Sequence, residues 1–73
     1  MYITDKRMFK SKMYLYGDTG KTLAKYLGVS PATVSNCLNN RAEFSQSQIG
    51  KIKDRYELTA DEVNDIFFTM WVT

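Results

Sequence analysis

The chain has 73 residues, of which 44% are hydrophobic and 25% charged, and its formal net charge is +2. This length allows one domain over residues 1–73, and the composition is that of a globular chain. A single cysteine and the absence of histidine exclude an internal disulfide and a Cys/His zinc site. No signal-peptide pattern and no run of about 18 apolar residues occurs, so we expect a cytoplasmic protein that does not enter a membrane.

The charges are distributed unevenly along the chain. Residues 1–26 carry six basic residues against two acidic ones, whereas residues 27–73 carry four basic against six acidic. The first part is therefore net +4 and the second net −2. This asymmetry suits an anionic partner approached from one side, and a solvated, lysine-rich helix face would explain it equally well.

The first 16 residues favour a helix over a strand. Thr4 is predicted to cap a helix that begins at the next residue, and Phe9, Met13 and Tyr16 would share one face of it. Gly17 is suited to end this helix. The alternative is a strand, because the run MYLY that ends at Tyr16 is rich in residues that strands prefer.

Two short helices joined by a tight turn follow over about residues 19–40. Thr19 is a typical N-cap for the first, and Gly28 can close it in the left-handed conformation without steric strain. Ser30 and Pro31 are then the cap and first residue of the second helix. Asn40 is suited to a left-handed residue at its end.

The second of these helices is predicted to have a buried and an open face. Val34, Cys37 and Leu38 form the buried stripe by their spacing. The open face is expected to carry Pro31, Ala32, Ser35, Asn36 and Asn39.

Two capping boxes predict two more helices. Ser45 and Gln48 begin a helix that reaches about Glu57, and Thr59 and Glu62 begin another that reaches about Phe68. Residues spaced as one apolar face follow each box: Ile49, Ile52 and Tyr56 in the fourth helix, and Val63, Ile66, Phe67 and Met70 in the fifth. The prediction is a compact all-α domain of five short helices with an apolar tail over residues 68–73.

Enzyme chemistry is not indicated. Gly17-Asp-Thr-Gly-Lys21-Thr22 resembles the end of a P-loop, but only two residues separate its glycines where a phosphate-wrapping loop needs four. Cys37 has no histidine partner and is better explained as a small apolar core residue. We therefore expect no enzymatic activity, no cofactor, no metal and no small-molecule ligand.

The stretch TGKTLAKYLGVSPATVSNCLNN, from Thr19 to Asn40, has the spacing of a helix-turn-helix unit. Ala24 is the small residue that close helix packing requires, Gly28 makes the turn, and Val34 supplies the apolar underside of the second helix. These positions resemble the Cro/repressor-type (XRE-like) helix-turn-helix family of phages and bacteria. The ending LTADEVNDIFF, from Leu58 to Phe68, is also similar to that family.

The resemblance implies a lambda-repressor-like five-helix fold and a small transcriptional regulator that binds a palindromic operator in double-stranded DNA as a homodimer. By position, it assigns base contacts to Pro31, Ala32, Thr33, Ser35 and Asn36. It assigns phosphate contacts to Gly20, Lys21, Asn39, Asn40 and Arg41. The chain departs from the family at Gly20, where glutamine is frequent, and at Asn40, where glycine is usual.

The residues themselves add further expectations. Lys25 adds positive charge for phosphates, and the helix N-terminus at Ser45 offers free N–H groups to them. The tail residues Phe68, Met70, Trp71 and Val72 are expected to form a dimer interface or, equally, to cap the chain's own core.

Two alternatives to a complete DNA-binding regulator stay open. One is a helix-turn-helix protein-interaction module, such as an anti-repressor or co-regulator, without strong DNA binding. The other is the DNA-binding part of a longer repressor. The start at Met1 and the apolar end favour the shorter protein over that last interpretation.

Overall fold

The computed structural model describes residues 1–67, which contain five α-helices and no strand. The helices are α1 (Lys6–Leu15), α2 (Gly20–Leu27), α3 (Pro31–Leu38), α4 (Gln46–Arg55) and α5 (Ala60–Phe67). The predicted all-α class is confirmed, and the strand alternative for the MYLY run is wrong because this run lies at the end of α1. None of these helices is long and apolar enough to cross a membrane. The tail residues Phe68, Met70, Trp71 and Val72 lie outside the described part.

The start of α1 differs from the prediction by one residue. Asp5, not Thr4, is the N-cap, and its carboxylate accepts a hydrogen bond from the Met8 N–H at 3.0 Å. The Thr4 hydroxyl instead donates to the Ile66 carbonyl at 2.8 Å, and the Thr4 N–H donates to the same oxygen at 2.6 Å. Thr4 therefore fastens the start of the chain to the end of α5.

The predicted caps around the α2–α3 turn are confirmed. The Thr19 hydroxyl accepts the N–H of Thr22, and the Ser30 hydroxyl accepts that of Thr33. Gly28 closes α2 with a φ of 75°, which an L residue rarely adopts. Asn40 has a φ of 57°, as its place after α3 predicted.

Both predicted capping boxes are also present. Ser45 and Gln48 exchange hydrogen bonds of 2.9 and 3.2 Å at the start of α4. Thr59 and Glu62 exchange bonds of 2.9 and 3.1 Å at the start of α5. These reciprocal bonds satisfy N–H groups that the first helical turn leaves free.

An aromatic cluster forms the centre of the core. Phe9 of α1 is fully buried, and its ring centroid lies 5.9 Å from Phe44, 6.2 Å from Tyr56 and 6.1 Å from Phe67. Such stacked and edge-to-face pairs stabilise a core beyond the area that they bury. Ile3, in the segment before α1, is buried against this core, which the sequence did not indicate.

The packing of α2 against α3 orients the second helix. Leu23 and Ala24 of α2 and Val34 and Cys37 of α3 are all buried. The first turn of α2 also lies close to α3, since a Cβ atom at Gly20 would be 3.9 Å from Val34 Cγ1. The inner face of α3 is thus held against α2, and its outer face is left to solvent.

Candidate nucleic-acid interface

The outer face of α3 carries small and polar side chains. Ala32, Ser35, Asn36 and Asn39 point away from buried Val34 and Cys37, and all four are exposed. Pro31 is exposed at the start of the helix, and Leu38 is half-buried. The predicted division of α3 into an open and a buried face is confirmed, with Leu38 at its edge.

Thr33 is less available for a base contact than its neighbours. It is half-buried, and its hydroxyl lies 3.0 Å from the hydroxyl of Ser30. The Ser30 hydroxyl also accepts the Thr33 N–H at 3.2 Å. The Thr33 side chain therefore belongs to the N-cap of α3, which leaves Ser35 and Asn36 as the outward polar residues in the middle of the helix.

The carboxamide of Asn39 is held at the end of α3 by two hydrogen bonds. Its Nδ2 donates to the Ser35 carbonyl at 3.0 Å, and its Oδ1 accepts from Lys6 Nζ at 3.3 Å. Both polar atoms of this side chain are thus in use within the protein. The next residues, Asn40 and Arg41, are exposed.

The start of α2 carries the second group of predicted contacts. Lys21 and Lys25 are exposed one turn apart, and the first N–H groups of the helix, at Gly20 and Lys21, have no acceptor within α2. Such free N–H groups and the positive end of the helix dipole favour phosphates. A shallow surface pocket of about 390 Å³ lies between α2 and the start of α3. It is lined by Lys21, Thr22, Ala24, Lys25, Val29 and Pro31.

Most of the cations have no carboxylate partner. Among residues 1–67, Lys12 pairs with Glu62 at 2.6 Å and Arg55 pairs with Asp18 at 2.6 Å. No other lysine or arginine side chain in this range makes an ion pair. The cations concerned are Lys6, Arg7, Lys10, Lys21, Lys25, Arg41, Lys51 and Lys53.

The distribution of these cations sharpens the charge asymmetry of the sequence. Six of the eight lie on α1, on α2 or between α3 and α4. Exposed carboxylates lie on α4 and α5, at Asp54, Asp61 and Asp65, and in the loops on either side of α4, at Glu43 and Glu57. Helices α1 and α2 therefore present more positive charge without an ion-pair partner than α4 and α5 do.

A partly buried ionic cluster connects the start of α2 to the end of α4. The Asp18 side chain is only 2% exposed, and its carboxylate accepts two bonds of 2.6 Å from Arg55. The hydroxyls of Tyr56 and Thr22 each donate to it at 2.8 Å. The Arg55 guanidinium also lies 4.6 Å from the centre of the Tyr26 ring, in a cation–π contact.

The sequence did not reveal this cluster, because Asp18 and Arg55 are 37 residues apart and follow no shared pattern. The hydrogen bonds from Arg55 hold the pKa of Asp18 down at about 2, well below its usual 3.8. Burial, together with the bond to Asp18, raises the pKa of Tyr56. Asp18 and Arg55 are thus both charged at neutral pH.

Cys37 fits the role of a core residue. Its side chain is 2% exposed, and burial raises the pKa of its thiol, which disfavours the reactive thiolate. Within residues 1–67 no group of three or more acidic or cysteine side chains is arranged to hold a metal ion.

Comparison of the chain with models of protein families, with curated proteins and with solved structures finds no match.

Proposed function

We propose that the protein is a sequence-specific DNA-binding transcriptional regulator that presents α3 to the major groove. The observation that carries this proposal is the outer face of α3, where small and polar side chains are exposed beside uncompensated cations. An α-helix fits the major groove, and a face without bulky side chains allows close approach to the base edges. Specific DNA-binding surfaces are also polar and strongly positive.

Base recognition is assigned to the outer face of α3. The Asn36 carboxamide has no hydrogen bond to another residue within residues 1–67, so it is free to pair bidentately with the N6 and N7 atoms of adenine. The Ser35 hydroxyl can bond several bases, and the Ala32 methyl can contact a thymine methyl. Pro31 and Thr33 would contact bases from the start of the helix, with Thr33 restrained by its bond to Ser30.

Phosphate binding is assigned to the elements on either side of α3. The N–H groups at the start of α2 and the side chains of Lys21 and Lys25 would contact one stretch of backbone. Asn40 and Arg41, after α3, and Ser45, at the start of α4, would contact another. Because these contacts displace counterions from DNA, affinity would fall steeply as salt is raised.

Salt-dependent DNA binding is the first test. We expect the protein to shift a mixed-sequence duplex in a gel at low salt and to release it at higher salt. Binding that is absent at both salt concentrations would reject the proposal. It would favour the alternative that the helix-turn-helix serves as a protein-interaction module, such as an anti-repressor or co-regulator.

Replacing Asn36 with alanine is expected to weaken binding to the preferred site by about 1–3 kcal/mol and to relax specificity at one base pair. The preferred site would come from selection out of random DNA. Asn64→Ala is the matched control, because Asn64 is an exposed asparagine on α5, away from α3. Equal binding of the Asn36 variant and the wild type across a randomised operator library would remove Asn36 from the base contacts.

We further propose a homodimer in the bacterial cytoplasm, associated with the nucleoid, whose two copies read the halves of a palindromic site. The apolar side chains of Phe68, Met70, Trp71 and Val72 are the proposed interface. Deleting residues 69–73 is expected to turn a dimer into a monomer at micromolar concentration, as measured by light scattering. A full-length chain that is already monomeric, or a dimer that survives the deletion, would contradict this interface.

A further inference from the structure

We propose that Lys6 and Lys10 of α1 form an additional phosphate-binding edge beside α3, and that Asn39 positions Lys6 for this role. The inference rests on the proposed DNA-binding function and extends its interface to a helix outside the helix-turn-helix unit. The observation behind it is the chain of contacts from Lys6 Nζ to Asn39 Oδ1 at 3.3 Å and from Asn39 Nδ2 to the Ser35 carbonyl at 3.0 Å.

These contacts place the Lys6 ammonium next to the proposed base-reading face. Ser35 lies on the outer face of α3, and Asn39 caps the end of that helix. Only the Asn39 side chain lies between the Lys6 ammonium and Ser35, so the ammonium would be close to the phosphate backbone of a duplex bound against α3. An ammonium has three donors, so the bond to Asn39 leaves Lys6 free to bind a phosphate at the same time.

Lys10 continues this edge along α1. It lies four residues after Lys6, one turn further along the same flank of the helix, and it is exposed. Lys12 extends in the direction of α5 instead, where it pairs with Glu62 at 2.6 Å. The two sides of α1 thus differ: one makes an ion pair with α5, and the other carries Lys10 and Lys6, of which Lys6 contacts the end of α3.

Within residues 1–67 no carboxylate pairs with the two lysines of this edge. Neither Lys6 nor Lys10 makes an ion pair there, and like charges four residues apart on a helix repel each other. A phosphate backbone would relieve this repulsion, since two adjacent phosphates can each bind one ammonium. The spacing of these two lysines therefore destabilises α1 slightly by itself but suits the binding of a polyanion.

Asn39 would then act by positioning Lys6. Its carboxamide bonds Lys6 and Ser35 and keeps one N–H without a partner in the protein, and we assign it the positioning of Lys6 in preference to the direct phosphate contact that its place in the sequence suggested. Lys6 supplies the charge in its place. The effect of losing Asn39 should then depend on whether Lys6 is present.

The test is the salt dependence of binding to a short mixed-sequence duplex, measured by fluorescence anisotropy over a series of KCl concentrations. The slope of log affinity against log salt is expected to become shallower by about one in Lys6→Met and again in Lys10→Met. Lys6→Arg, which keeps the charge, should retain the wild-type slope. Arg41→Ala serves as the reference for a phosphate contact within the helix-turn-helix interface.

Two further variants control for general charge and for the positioning role. Lys53→Met removes an exposed, unpaired cation near the end of α4 and is expected to leave the slope unchanged. Asn39→Ala should lower affinity in the wild type but have little further effect in the Lys6→Met background. Urea unfolding of each variant identifies any loss of stability.

The outcomes separate the inference from the proposed function. If Arg41→Ala flattens the slope and the Lys6 and Lys10 variants do not, the additional edge is wrong and DNA binding stands. A Lys6→Met variant that loses stability but keeps the wild-type slope would likewise overturn the edge, since its role would be structural. If the wild type itself shows no salt-dependent binding, both the proposed function and this inference are wrong.

Discussion

Asp18→Ala is expected to lower the free energy of unfolding by about 2–4 kcal/mol, because it removes the acceptor at the centre of a partly buried ionic cluster. The Asp18 carboxylate accepts bonds from Arg55, Tyr56 and Thr22. Without it, the largely buried Tyr56 hydroxyl and the Arg55 guanidinium lose their partner. Because the Arg55 side chain is 28% exposed to water, the expected loss of stability is smaller than for a fully buried ion pair.

The same cluster predicts a loss of stability in acid. A carboxyl whose pKa is about 2 in the folded protein and 3.8 when unperturbed stabilises the fold above the higher value. That stabilisation should disappear as pH falls from about 4 towards about 2, because the unfolded chain takes up the proton first. Urea unfolding at several pH values should show this decline in the wild type and a weaker one in Asp18→Ala.

Asp54→Ala is the matched control for both measurements. Asp54 is an exposed aspartate that precedes Arg55 on α4, and its side chain makes no hydrogen bond or ion pair within residues 1–67. Its loss should change the free energy of unfolding by no more than about 0.5 kcal/mol. An Asp18 variant that unfolds with the same midpoint and pH dependence as the Asp54 variant would show that the cluster adds no stability.

Phe9→Ala is expected to lower the free energy of unfolding by about 3–5 kcal/mol. The Phe9 ring is fully buried and contacts the rings of Phe44, Tyr56 and Phe67, so its removal opens a cavity where α1, α4, α5 and the loop before α4 meet. Domains of this size have a total stability of roughly 4–11 kcal/mol. The loss is thus a large part of the total stability, and the variant should melt at a markedly lower temperature than the wild type, as measured by far-UV circular dichroism.

Tyr14→Ala provides the comparison on the same helix. Tyr14 is 87% exposed, so the loss of its ring removes little buried surface. We expect its thermal unfolding to stay close to that of the wild type. If Phe9→Ala also melted at the wild-type temperature, the aromatic cluster would not be the centre of the core.

Helix ends were predictable because their chemistry is local. The N-caps at Thr19, Ser30, Ser45 and Thr59 each bond an N–H three residues later, within one turn of chain. Gly28 and Asn40 adopt positive φ values. Gly28 can do so because it lacks a Cβ atom, and Asn40 because its short polar side chain can bond to the backbone nearby. The exceptions are Thr4, whose hydroxyl binds α5 while the next residue caps α1, and Glu57, whose φ of 50° after α4 the sequence did not indicate.

The sequence predicted which residues of α3 face outward, but not which of their side chains bond to other parts of the protein. Helical periodicity correctly separated outward Ser35 and Asn36 from inward Val34 and Cys37. It did not show that the Asn39 carboxamide would be occupied. That depends on Lys6, which lies 33 residues earlier in the chain.

The sequence by itself determined the five helices, the N-caps of α2 to α5 and the outward face of α3, because these follow from hydrogen bonds and spacings within a few residues. Only the tertiary structure decided which distant groups meet: Asp18 with Arg55, Lys6 with Asn39, and Thr4 with Ile66. These pairs span 33 to 62 residues, and their geometry depends on how all the helices pack at once. The sequence therefore predicted two short helices joined by a tight turn over residues 19–40, and the fold added the neighbours that hold these helices in place.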